Sequence, residues 1–181
     1  MKKNWTFSAY FLLLTLASFK SILAQTTYVV PNFRIEKPED CPAYNLEIQK
    51  ATAWILATPW NEQQEEKKHI FKQFIFPWVN FSPDVHVEIY GYVIDIFRKN
   101  PDFWIPYTCA WIQAELAQPL PKPVKTPISF AQTQIYHEKA LQIVIEIYQK
   151  SKVNPDEKID FLVELAKKNK LNTWITENWN K

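Results

Sequence analysis

The stretch from Ser129 to Lys150, SFAQTQIYHEKALQIVIEIYQK, decides how the chain is read. Ile135, Leu141, Val144, Ile145 and Tyr148 recur so as to line one apolar face of a helix. Neither glycine nor proline breaks the run, so the pattern predicts a helix over 129–150. Downstream, Asn154-Pro155-Asp156-Glu157 reads as a cap followed by proline at the first helical position. It opens a helix carrying Ile159, Leu162, Val163 and Leu165. A last short helix holds Trp174 and Ile175.

Upstream, Leu46 to Ala57 carries Ile48, Ala51 and Ile55 with Trp54 beside them, and Thr58-Pro59 stops the pattern. Asn61 is the predicted N-cap of a helix over 62–78, whose acidic first turns precede Lys67-Lys68, as the helix dipole favours. Its apolar stripe is Ile70, Phe71, Phe74, Ile75 and Trp78, and Pro77 should kink or end it. Val85-His86-Val87-Glu88-Ile89 alternates like a strand, whereas Ile89, Val93, Ile96 and Phe97 recur like a helix. A short extended lead-in followed by a helix reconciles the two. Residues 102–117, with Trp104, Tyr107, Trp111 and Leu116, form another helix, and Pro119, Pro121, Pro123 and Pro127 read as a stiff connection. The expected fold is all-α: a compact bundle of about six helices over 45–181, preceded by a short extended arm over 25–44.

Residues 1–24 run from Lys2-Lys3 through the apolar stretch Phe7 to Ala17 to Ser21-Ile22-Leu23-Ala24. This basic, apolar, small-residue order is that of a cleavable signal peptide. Lys20 cuts the run short of a membrane span, so no stable span is expected after cleavage. The product is expected in the periplasm or outside the cell. Cleavage is placed after Ala24, with Ala17 as the alternative. Loss of Lys2, Lys3 and Lys20 takes the formal charge from +2 to −1. A near-neutral chain offers no net attraction to nucleic acid or to anionic membranes.

Cys41 and Cys109 are the only cysteines. In an oxidising compartment a Cys41–Cys109 disulfide is the natural expectation, worth roughly 4 kcal/mol on chain-entropy grounds. The alternative is two separately buried thiols.

Gly91 is the only glycine in 181 residues. Phosphate-cradling loops, dinucleotide fingerprints and the nucleophile elbow need two or more, so their standard forms are excluded. Histidine occurs only at 69, 86 and 137. His137-Glu138-Lys139-Ala140-Leu141 begins like a zinc-protease helix, yet Leu141 stands where the second ligand belongs. No metal site and no cofactor is expected, and no catalytic residue is assigned. Asp95, between Ile94 and Ile96, is the least comfortable carboxylate, and a buried acid is a candidate functional group.

Seven tryptophans follow residue 24. Trp54, Trp78 and Trp111 lie on apolar stripes and are expected in the core, while Trp60, Trp104 and Trp179 sit near turns or the terminus. Exposed aromatics stack on sugars or peptides and anchor interfaces, so Trp60, Trp104 and Tyr107 are the candidate ligand-binding residues.

Thr58-Pro59-Trp60, Phe76-Pro77-Trp78, Ser82-Pro83-Asp84-Val85 with Val87-Glu88, then Asn100-Pro101 and a helix rich in tyrosine and tryptophan, together resemble a group of small exported helical proteins of Gram-negative bacteria. The resemblance covers residues 51–170 and departs in lacking a glycine before the turn. It implies a helical fold and an exported location, and no catalytic residue. The expected function is that of a non-enzymatic module that binds another envelope protein or supports an envelope process. A carbohydrate- or peptide-binding protein using exposed aromatics is the alternative, and a hydrolase with carboxylates from separate helices comes third.

Overall fold

The computed structural model describes residues 28–57, 59–117, 130–151 and 153–179. The signal-peptide reading and the proline-rich connection lie outside them. Among the described residues the regular structure is all helical. After a 3-10 helix at Pro38–Tyr44 come α1 (Asn45–Ala57), α2 (Gln64–Ile70), a π-helical turn (Phe71–Ile75), α3 (Phe76–Phe81), α4 (Gly91–Ile96), α5 (Trp104–Ala117), α6 (Phe130–Lys150), α7 (Glu157–Lys167) and α8 (Leu171–Asn178), with a 3-10 turn at Pro101–Phe103 leading into α5.

The central element is α5. Ile105, Tyr107, Cys109, Trp111, Ile112 and Glu115 are all buried, and a helix buried all round belongs inside the bundle. It packs most extensively against α6 and then α1. On α6 the inward face is Thr133, Tyr136, His137, Ala140, Leu141, Val144 and Ile147, whereas Ile135 is 46% exposed. Two polar residues thus sit inside the stripe, and one isoleucine assigned to it lies outside.

The expected arm is shorter than 25–44. Its described part, from Tyr28 to Ile35, is irregular and lays Tyr28, Val30, Phe33 and Ile35 partly on the core. From Pro38 the chain coils, because proline suits a first helical turn and Asp40 Oδ2 accepts from the Glu36 and Lys37 amides at 3.0 and 3.2 Å. This coil buries Cys41, whose carbonyl accepts from Trp78 Nε1 at 3.1 Å and whose thiol points at the Trp78 carbonyl at 3.7 Å.

Three local expectations change. The helix expected over 62–78 begins at Gln64, and the residue before it, Gln63, is left-handed (φ 50°), so Asn61 does not cap it. Pro77 does not end the helical run. The turn before it widens to π geometry, with the Phe76 amide donating to Phe71 O, and the helix then continues to Phe81. A proline ring clashes with the carbonyl four residues back, here Gln73, and widening the turn relieves that crowding. The third change is at α7, which Asp156 caps instead of Asn154: its carboxylate accepts from the Lys158 amide at 3.0 Å and from Asn100 Nδ2 at 2.8 Å. Asn154 and Pro155 are exposed. At the far end of α7, Asn169 takes the left-handed position (φ 54°) often given to glycine. The Lys170 amide reaches Leu165 O at 2.8 Å and the Asn169 amide reaches Ala166 O at 3.0 Å, closing the helix.

Cys41 and Cys109 are separate, buried, free thiols, so the expected Cys41–Cys109 disulfide is not formed. Cys41 is committed to Trp78, and Cys109 lies in the middle of α5. Burial pushes both thiols above the ordinary value. Among the described residues no helix is long and apolar enough to cross a membrane.

Candidate functional site

The widened turn before Pro77 has a consequence on the surface. It places Phe71 and Phe76 with their rings 6.2 Å apart on one wall of a cleft of about 820 Å³. Val79 continues that wall, Trp104 and Thr108 of α5 form another, and Val85 to Ile89 runs along the cleft. Phe76 is 51% exposed and Ile89 54% exposed. Large apolar side chains so open to water, gathered in one recess, are the usual mark of a contact surface.

Val85 to Ile89 forms no strand, but it is held from inside. The His86 amide donates to Glu115 Oε2 at 3.0 Å, and the Glu88 carbonyl accepts from the Tyr107 hydroxyl at 3.2 Å. Glu115 is buried, and burial pushes its carboxyl above the usual range against the opposing hydrogen bonds from the His86 amide and from Trp111 Nε1, the latter at 3.0 Å. The acid therefore serves the segment that lines the cleft.

Behind that segment lies a chain of polar side chains. Tyr107 Oη and His137 Nδ1 are 2.6 Å apart, and Tyr92 Oη bonds His137 Nε2. Because the Tyr107 hydroxyl donates to Glu88 O, its oxygen is left to accept from Nδ1–H, and Nε2 then accepts from Tyr92. This assignment gives each group one role. Glu88 Oε2 in turn accepts from Tyr90 and, at 3.4 Å, from Thr133. Burial drives the His137 imidazole down to about 3, and burial raises the hydroxyls of Tyr92 and Tyr107. Tyr90 rises to about 12, through burial first and the Glu88 hydrogen bond second. At neutral pH the three tyrosines keep their protons, and His137 is an uncharged structural link.

Family models, curated proteins and solved structures were all compared with the chain. None matches.

Of the three aromatics expected to bind a ligand, the structure leaves one at a surface site. Trp104 is half-buried and lines the cleft. Tyr107 is its neighbour, with rings 5.8 Å apart, but it is wholly buried and spent on His137. Trp60, 1% exposed, lies elsewhere. Its amide donates to Ser151 Oγ at 2.7 Å and its ring faces Lys67 Nζ at 5.5 Å. Lys67 is itself enclosed, donates to Pro59 O at 2.6 Å, and is pushed down to about 8 by burial.

Asp95, expected as the uncomfortable acid, is exposed and ion-paired with Arg98. A six-residue α4 gives its apolar neighbours too little length to enclose it. The buried acids are Glu115 and Asp156. Sequence reading passed over Glu115, although Trp111 and Glu115 stand four apart on one helix face, the spacing at which an indole N–H reaches a carboxylate. His69 and His86 are exposed and His137 is buried. Among the described residues no three His, Cys, Asp or Glu side chains gather where they could hold a metal ion.

Proposed function

We propose that this protein is an exported, non-enzymatic module that binds another protein of the cell envelope through the cleft between Phe71, Phe76 and Trp104. The observation that carries the reading is the cleft itself, where exposed Phe76 and Ile89 border a recess of about 820 Å³. Interfaces draw their affinity from aromatic and aliphatic anchors that enter such recesses. Three kinds of group that could do acid, base or nucleophilic work support the same reading by being engaged elsewhere. His137 is neutral and enclosed, both thiols are buried, and the Lys67 ammonium is held by a carbonyl.

The carbohydrate alternative weakens, because two of its three aromatics, Trp60 and Tyr107, are covered. A photocrosslinking residue at position 89 tests the proposal, with the same residue at exposed position 46 as the control. A discrete adduct from 89, absent from 46 and recovered again with the purified partner, is the expected result. Equal yields from both positions overturn the reading.

A further inference from the structure

We propose that the cleft takes an extended peptide segment of its partner, with a basic side chain between apolar ones, which adds as a strand along Val85 to Ile89. This rests on the cleft being the protein-binding face and specifies what binds there.

The two inward hydrogen bonds of the segment are made by His86 and Glu88, two residues apart. In an extended chain the amide and carbonyl of one residue point to one edge and those of the next to the other. With the His86 amide and the Glu88 carbonyl turned inward, that alternation assigns the main-chain groups of Val87 and Ile89 to the opposite edge. Among the described residues, Val85 to Ile89 exchanges no backbone-to-backbone hydrogen bond. A run of unpaired amides and carbonyls beside apolar side chains is what an incoming strand pairs with, its alternate residues filling the recess.

Charge sets the second requirement. Among the described residues Glu88 is the only Asp, Glu, Lys or Arg in the lining, which also holds His86 beside Phe71, Phe76, Val79, Ile89 and Trp104. Its Oε2 is occupied by Tyr90 and Thr133, while among the described residues Oε1 accepts no hydrogen bond. A carboxylate lining a largely apolar recess favours an ammonium or guanidinium through a charge-assisted bond. The complementary peptide is therefore basic at one position and apolar at its neighbours.

The test uses a blocked, terminally labelled heptapeptide of alternating valine and threonine with a central lysine, titrated onto the full protein by fluorescence anisotropy. A glutamate-centred peptide and one N-methylated at alternate amides are the comparisons. Binding at least tenfold tighter for the lysine peptide than for either comparison is expected, and Glu88→Gln should remove the lysine preference while keeping the acceptor for Tyr90. Undiminished binding of the N-methylated peptide overturns strand addition. Equal binding of lysine and glutamate peptides overturns the charge requirement. Failure of every peptide overturns the inference as a whole, whereas the protein-binding reading is tested separately by the crosslinking comparison of positions 89 and 46.

Discussion

Tyr107 Oη lies 2.6 Å from His137 Nδ1, and this contact joins the central helix α5 to α6 in the middle of the bundle. The tyrosine also holds the Glu88 carbonyl, so one hydroxyl couples two core helices to the segment lining the cleft.

His137 makes stability depend on pH with a definite sign. Its folded value is about 3 against an unfolded value of 6.5, so the unfolded chain gains a proton that the folded chain refuses. The stabilisation is complete above 6.5 and is lost as the pH falls from there towards 3. Denaturant unfolding should show a loss of roughly 1.4 kcal/mol per pH unit below about 6. Glu115, raised by burial, acts in the opposite sense: its destabilising effect is relieved as the pH falls. The His137→Gln protein should lose less between pH 6.5 and 5 than the parent. An unchanged difference between those two pH values would remove His137 from the explanation.

The thiols give a direct chemical readout. Unreduced, denatured protein should take up two alkyl groups by mass spectrometry, and folded protein should resist alkylation, because both sulfurs are buried. No uptake after denaturation without reductant would mean that the bridge had formed.

Capping at α7 separates two neighbouring residues. Asp156→Ala removes the cap and strands the Asn100 amide, a loss of about 2 to 3 kcal/mol. Asn154→Ala, at an exposed position, should stay within about 0.5 kcal/mol. Thermal unfolding of the two proteins side by side decides the cap register, and a larger loss at 154 would reverse it.

Gln63 holds a left-handed backbone with φ 50° and ψ 33°. A side chain crowds its own carbonyl there, at about 1 kcal/mol, and glycine does not. Gln63→Gly is expected to raise stability by up to about 1 kcal/mol in denaturant titrations, and a loss of that size would contradict the assigned conformation.

Helical periodicity made the fold class and most of the helices legible, since Ile48, Ala51 and Ile55, or Leu141, Val144 and Ile145, already mark buried faces. Pro77 announced an irregularity but not its form, because its clash with the carbonyl four residues back is relieved equally by a stop, a kink or a widened turn. Thr133 and His137 hid the full inner face of α6, since polar residues on a stripe look like its edge until their partners are known. Trp60 looked exposed beside Pro59 and Asn61, but its ring packs against Phe103, far along the chain. Trp104 does line the cleft, yet Phe71, Phe76 and Ile89, which complete it, read as ordinary stripe residues. Their meeting depends on where α2, α3 and α5 end in space.

Affinity for the protein captured from position 89 tests the role of the cleft most directly. Ile89→Asp places a charge on an exposed apolar position, where folding should be little affected. Equilibrium binding should weaken at least tenfold, or about 1.4 kcal/mol, with thermal unfolding unchanged. Unchanged affinity in the folded Ile89→Asp protein would contradict the cleft as the binding surface.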